Sequence, residues 1–465
     1  MNGENGTKRK GKLGIIGASY LQAPLIEKAK EMGLETHVFA WAAGDVGESL
    51  ADYFYPISIV EKDAIAEKCC EIGIDGICTI ASDLAAVTVG YVAQVLGLSG
   101  NSPECVRRST NKHAMRRAFE AGGDPSPKSI LAERAEDLIS AGLRYPLIVK
   151  PLDRSGSRGI MKLEGPGRMG KAGSEAGTGG RQGEAGAKAE AAERSGDAGA
   201  ETGAWVHPED PEERRILDAA IENAKNQGFE KKALAEEYAE GEEYSVEGLS
   251  WQGRHRILTV TKKYTTGSPH FIETGHLQPA GLSPKTESEV RRVVAHALDS
   301  LGVTCGASHS ELKIAPDGTI RLIEIGARMG GDLIGSDLVP LSTGVDYVAE
   351  VIRCALGQEP LCFREASAED EKSRERTEGT SPDGVGEKGA GLAAKAGQSA
   401  GVRFIFGPAD LEVLARLKQT HPEMLIREEV HPVTEEEVTD SSARFGYFLM
   451  AAPDPEDLRP WLANA

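Results

Sequence analysis

Apolar residues recur along the first hundred positions in two alternating rhythms. A buried-strand run, Lys12 to Ile16, turns at Gly17, and helical spacing follows from about Pro24 to Met32. A strand around Thr36 to Ala40, a helix over Ile65 to Glu71, a short strand Gly76 to Thr79 and a helix Ala85 to Leu96 ending at Gly97 continue the pattern. Strands alternating with helices predict βαβ units and a parallel sheet, closing near Pro103.

Further on the rhythm changes. A helix is expected over Asn111 to Ala121, strands over Leu147 to Lys150 and Gly159 to Leu163, a helix over Pro211 to Asn226 and a strand over Ala233 to Glu237. Strands and hairpins then dominate from Tyr244 to Ile272. A helix Lys285 to Leu301 ended by Gly302, a hairpin Ser308 to Ile325 and a helix Val345 to Leu356 follow. Residues 165–204 are mostly Gly, Ala, Glu, Lys, Arg and Ser, too poor in large apolar side chains to bury a core, and read as a disordered insertion. Residues 364–400 read as a solvated linker. The tail, with VRFIF, a helix near Ala409 to Gln419 and ARFGYFLMAA, reads as a small strand-and-helix lobe over 401–465. No repeat array is visible.

Composition narrows the function. The 465 residues carry a formal net charge of −19, so a general nucleic-acid-binding surface is not expected. Seven cysteines form no CxxC pair and are odd in number, which predicts reduced thiols rather than a disulfide framework or zinc site. The basic start lacks an export-type apolar region and no stretch reaches the ~20 apolar residues of a membrane span, so a cytoplasmic location is expected.

Three segments carry candidate chemistry. In SELKIAPDGTIRLIEIGARMGG, a loop of two or four residues puts Glu311 directly opposite Glu324, with the carboxylates about 5 Å apart. A three-residue loop would break that register. Facing like charges destabilise a sheet, and a hard divalent cation would neutralise them. Two solvated glutamates on an exposed hairpin are the other reading. In YPLIVKPLDRSGSRGI, Lys150 ends a strand and is followed by a loop, Ser155 to Gly159, whose backbone N–H groups suit an anion. It is not a Walker pattern, and an ordinary Gly-rich turn also explains it. In AEEYAEGEEYSVE, a strand-loop-strand segment offers backbone groups to an adenine edge, with Glu243 for ribose hydroxyls; a glutamate-rich surface hairpin is the plainer alternative. GxxGAS at Gly14 to Ser19 lacks the third glycine of a dinucleotide fingerprint. His270 and His276 are candidate metal or phosphate contacts, although a lone histidine is more often structural.

Taken in order, TNKHAMRRAFEAGGDPSPK, YPLIVKPLDRSGSRGI, ALAEEYAEGEEYSVEGL, HFIETGHLQPA and LIEIGARMGGDLIG resemble the successive motifs of the ATP-grasp superfamily. The resemblance covers roughly Lys12 to Cys362, and the tail is similar to the C-terminal lobe of amino-acid-ligating members. It implies an α/β and α+β multidomain protein. Its parts would be a Rossmann-like parallel sheet over 11–108, an ATP-grasp domain over 109–363 with a small lid lobe at about 126–234 beside a larger antiparallel-sheet lobe, and a small C-terminal α+β lobe over 401–465.

The resemblance also assigns roles. ATP and Mg2+ (or Mn2+) are the implied cofactors. Lys112 and Lys150 would contact ATP phosphates under the Ser155, Gly156, Ser157 and Gly159 loop. Glu236 and the backbone of Tyr238 and Ala239 would face adenine, and Glu243 the ribose. Glu311 and Glu324 would hold the metal. His276 and Arg328 would sit on the transferred phosphate or a substrate carboxylate, beside Gly331, and Asp332 would meet an ammonium. Many members carry Asn where this chain has Gly326, and Asp332 or a water is the expected substitute. The implied activity is ATP-dependent ligation of a carboxylate, activated as an acylphosphate, to an amine, most like the L-amino acid (dipeptide) ligases. Purine-pathway or carboxylase types and a non-catalytic ATP-binding protein are the alternatives. Partners would be small molecules, with no nucleic acid or membrane, and the resemblance allows a homodimer.

Overall fold

The computed structural model describes residues 11–154, 158–165, 168–169, 203, 206, 211–267, 271–364, 397–434 and 438–462. Ser155, Gly156, Ser157, His270, most of the expected insertion and most of the expected linker lie outside the described residues. Contacts divide the chain into two compact units. One comprises Met1–Pro127, Ala239–Thr265 and Ile272–Ala465; the other comprises Lys128–Tyr238 and Thr266–Phe271.

The first unit begins with a parallel sheet of β1 (Lys12–Ile16), β2 (Glu35–Phe39), β3 (Tyr53–Tyr55) and β4 (Gly76–Cys78), in the order β3-β2-β1-β4. Alternate side chains serve two cores. Leu13, Ile15 and Val38 join one, whereas Ile16, Phe39 and Ile77 join the other. A strand buried on both faces must be continuously apolar, which is why β1 read as a run rather than an alternation. A new helix begins at Pro103, where the first block was expected to close. Ser102 caps a further helix, Pro103–Thr110, by accepting from the Cys105 N–H, and Asn111 caps Lys112–Gly122 in the same way.

The second unit holds an antiparallel sheet of β5 (Ser129–Ala132), β6 (Leu147–Pro151), β7 (Met161–Gly165), β8 (Arg168–Met169) and β9 (Ala233–Glu237), ordered β5-β9-β6-β7-β8. Helix Pro211–Gln227 covers it with Leu217, Ala220, Ile221 and Ala224, a stripe at helical spacing. Strand pairing reaches Gly165 and Arg168, so ordered backbone enters the stretch assigned from composition to an insertion.

The remaining strands form one eight-stranded antiparallel sheet in the first unit. They are β10 (Glu242–Trp251), β11 (Arg254–Thr265), β12 (Glu273–Gln278), β13 (Cys305–Ile314), β14 (Ile320–Gly326), β15 (Ser399–Phe404), β16 (Leu425–Val430) and β17 (Gly446–Ala452), ordered β14-β13-β10-β11-β12-β15-β17-β16. The strands of the tail therefore extend the central sheet through the β12–β15 pairing, His276 opposite Val402. Helix Pro284–Leu301, capped by Ser283 and closed by Gly302 at φ 78°, lays Val290, Val294, Ala297 and Leu301 on one face of this sheet, against Val246, Val260, Leu312 and Leu322. Among the described residues no helix is long and apolar enough to cross a membrane.

Candidate functional site

The opposite face of the same sheet is polar. Alternation puts Glu243, Ser245 and Glu247 of β10 on it, with Lys263 of β11, His276 of β12, and His309 and Glu311 of β13. Glu311 stands directly opposite Glu324. The register arises differently from the sequence expectation. Five residues, 315–319, separate the paired Ile314 and Ile320, a loop that alone would set Glu311 opposite Ile323. A bulge between Glu311 and Leu312 in the pairing shifts it by one and brings Glu324 across. The same bulge lets Leu322 and Ile325, three apart, both reach the apolar core.

The facing glutamates are held by ammonium groups. Lys112 Nζ lies 2.9 Å from Glu324 Oε1, and Lys263 Nζ lies 2.7 Å from Glu311 Oε1. Lys263 also reaches Glu243 at 3.2 Å and Glu273 at 3.4 Å. Burial opposes its charge, but Glu311, Glu243 and Glu273 outweigh burial and hold it well above the usual lysine range. Burial would likewise raise Glu311; Lys263 and His309 overcome it and keep the carboxyl well below the usual range. His309 bridges Glu247, through Nδ1 at 2.7 Å, and Glu311, through Nε2 at 3.3 Å. Burial disfavours its cation, yet these carboxylates, Glu247 first, raise it to about 9. A Cβ on Gly330 would come within 2.6 Å of His309 Nδ1, so glycine lets the 330 backbone close over this pair.

Arg328 donates to Asp83 through Nε at 2.7 Å and Nη2 at 3.0 Å. Asp83 opens helix Asp83–Leu96, capped by Ser82. Burial works against both charges, and the paired geometry wins: Asp83 is lowered and Arg328 raised. Gly326 acquires a physical reason here. A Cβ there would lie 3.1 Å from Asp83 Oδ1 and 3.2 Å from Arg328 Cζ, so a side chain such as Asn would crowd the pair. Asp332, expected to meet an ammonium, is paired with a guanidinium. Arg444 grips both its oxygens, at 2.8 and 3.1 Å, and stacks over Phe404 at 3.7 Å. Gly331 packs against Ala81, where a Cβ would approach to 3.1 Å.

His276 is fully buried, edge-on to Phe404, and neither ring nitrogen has a hydrogen-bond partner among the described residues. Burial, then Lys263, pushes its pKa down to about 3, so the ring is neutral. Two unmet polar atoms at one buried ring are costly. Any phosphate contact there requires the ring to be uncovered.

In the second unit, Lys150 and Glu236 form a buried pair at 2.5 Å. They lie diagonally across β6 and β9, because Glu236 faces Ile148 and Lys150 faces Leu234. The Tyr238 N–H is bonded to the Pro146 carbonyl at 2.8 Å, and Lys162 sits 4.0 Å over the Tyr238 ring. That N–H is therefore engaged within the fold. Ala239 is buried, Glu243 is partly exposed, and Gly159 adopts φ +73°.

The polar face thus gathers six carboxylates (Asp83, Glu243, Glu247, Glu273, Glu311, Glu324) against four cations (Lys112, Lys263, His309, Arg328), a formal excess of two negative charges. Among the described residues no three His, Cys, Asp or Glu side chains form a ready metal cage. Two facing hard carboxylates still fit a divalent ion whose other ligands are phosphate oxygens and water. The sequence reading missed Asp83, Glu247, Lys263, Glu273, His309 and Arg444. An alternation count from Glu243 and Glu311 would have flagged Glu247 and His309; the others pair over long separations with no local signal.

Residues 213–337 match the ATP-grasp domain family. Carnosine synthase 1 of Homo sapiens is 32% identical over 133 residues, 29% of this chain and 16% of that protein. Alanine–anticapsin ligase of Bacillus subtilis (strain 168) is 24% identical over 315 residues, 62% of this chain and 58% of that one. The matches therefore span less than two thirds of these relatives. The crystal structure of an L-amino acid ligase from Bacillus licheniformis superposes with a TM-score of 0.68 at 21% identity, over 98% of this chain and 97% of the other, which shows a shared fold. The chain thus carries a match to the ATP-grasp domain family over its central stretch and shares the fold of that ligase over nearly its full length.

Proposed function

We propose that the chain is an ATP-dependent carboxylate–amine ligase that activates an amino acid as its acylphosphate and joins it to an amine, releasing ADP and phosphate. The observation that carries this reading is the Glu311–Glu324 pair within a buried face holding two surplus negative charges. The donor set suits Mg2+ or Mn2+, with Glu311 and Glu324 as ligands. Such an ion, when bound, supplies charge neutralisation for the transferring phosphoryl group.

The chain's own residues do the rest. Lys112 and Lys150 are the phosphate contacts, and moving either ammonium off its glutamate onto a phosphate exchanges one anionic partner for another. Glu236 and Glu243 are the nucleoside contacts. Lys263 and His309 keep Glu311 ionised and oriented. Arg328, fixed by Asp83, presents a cation to a substrate carboxylate or transferred phosphate. Two of the similar proteins are named as ligases of alanine and of L-amino acids, which supports an amino acid as the activated carboxylate. A phosphate-release screen with ATP, Mg2+ and pairs of amino acids tests the proposal. Release that needs both substrates and stops with EDTA is expected. ATP binding with no release on any pair would refute it in favour of a non-catalytic binder.

A further inference from the structure

Behind the polar site, with Arg328 in the shared wall, the first unit holds a cavity of about 80 Å³ between β4, the start of β13 and helix Tyr347–Ala355. Cys78, Cys305 and Cys354 all contribute to its wall. Cys305 is half-buried and Cys354 fully buried. Cys305 Sγ is 3.8 Å from the Cys354 carbonyl and 3.4 Å from Ser99 Oγ, and Cys354 Sγ is 3.9 Å from the Ser250 carbonyl. The strand end bearing Cys305 is clamped. Asn101 accepts from the Cys305 N–H at 3.0 Å and donates to its carbonyl at 2.7 Å.

From the approach of the Cys305 sulfur to the Cys354 backbone and the cavity that both residues line, we propose that Cys305 and Cys354 are a redox modification site. In it a hydroperoxide small enough for the cavity, such as hydrogen peroxide, oxidises Cys305, and Cys354 resolves it to a disulfide. The Cys305 sulfur attacks one peroxide oxygen: an S–O bond forms, the O–O bond breaks, and the departing hydroxide takes up a proton as water. Cys354 sulfur then attacks the sulfenic sulfur. The S–S bond forms, the S–O bond breaks, and a second water leaves with the Cys354 proton. Two thiols lose two electrons, and one peroxide becomes two waters.

The environment favours this division of labour. Hydrogen bonding from Cys354, and from Ser99, lowers the Cys305 thiol to about 7 against its partial burial, whereas Cys354 is raised by the same contact and by burial. The cavity has room for several water-sized molecules, but not for a tripeptide disulfide.

The test is peroxide titration of the full chain at neutral pH, followed by alkylation and peptide mapping. The expected product is a linked peptide pair containing Cys305 and Cys354, two hydrogens lighter and restored by dithiothreitol. In Cys354→Ser, which keeps a hydrogen-bond donor beside Cys305 but cannot form the disulfide, Cys305 should accumulate a dimedone-trapped sulfenic acid roughly tenfold faster than the exposed Cys70 is oxidised. Should that variant fail to fold, loss of Cys305 alkylation in step with the linked peptide in the unaltered chain gives the same answer. Oxidation of Cys70 while Cys305 stays alkylatable, or linkage of Cys305 to another cysteine, would overturn the proposal. Phosphate release is not the readout, so the outcome is independent of the ligase reading.

Discussion

The two faces of the β10–β14 sheet solve opposite problems with the same alternation. On one, Val246, Val260, Leu312 and Leu322 meet an aliphatic helix and need only shape. On the other, Glu247, Lys263 and His309 are buried and Glu243 and Glu311 partly so, yet each charge needs a named partner. Burying charge costs several kcal/mol per group before pairing, so an aliphatic second face would be the cheaper design. A chain that retains the costlier face retains it for what the face binds. The contrast predicts that substitutions on the polar side damage activity first and those on the apolar side damage stability first.

The sharpest way to break that contrast is Glu311→Ala or Glu324→Ala. Each should lower substrate-driven phosphate release by about three orders of magnitude, of the size seen when one transition-state electrostatic contact is lost, and steady-state assays would measure it. Turnover near the unaltered rate would remove the metal assignment. Next, Leu322→Ala should cost about 2–5 kcal/mol in urea unfolding while leaving the rate per folded molecule intact.

The two buried histidines sharpen the comparison through pH. His309, raised to about 9, contributes stability that is complete below its unfolded value of about 6.5 and fades as pH rises through 9. His276, lowered to about 3, binds its proton more readily unfolded, so stability falls as pH drops below about 6.5 towards 3. Each contribution is bounded at a few kcal/mol. Urea midpoints from pH 4 to 10 should lose the alkaline slope in His309→Asn and the acid slope in His276→Phe. The smallest effect belongs to the solvent-facing Arg117–Glu120 pair, where Arg117→Ala should change stability by less than about 0.5 kcal/mol. A larger change there would mean that surface charge, rather than the buried face, governs stability.

Much of this was legible in the sequence wherever the signal was local. The alternating strands and helices of the first block, the helix ended by Gly302 and the facing of Glu311 and Glu324 follow from periodicity and caps within a few residues. The hairpin came out right by a different route, since a bulge corrected a loop that was one residue too long. The long-range partnerships were not legible. Lys262 and Lys263 are adjacent in sequence and point to opposite faces, and only the β10 register decides which one enters the acidic cluster. Asp83 meets Arg328 from 245 positions away, and Asp332 is claimed by Arg444 from 112. The pairing of the tail lobe with β12 was not legible either, because it leaves no trace in composition.

That pairing has a consequence for biogenesis. During synthesis, the segment bearing His276 must wait with an unpaired rim until Ser399–Phe404 emerges and zips alongside. A nascent chain halted before that point would present a sticky β-edge, so premature termination should yield aggregates rather than a trimmed but working protein.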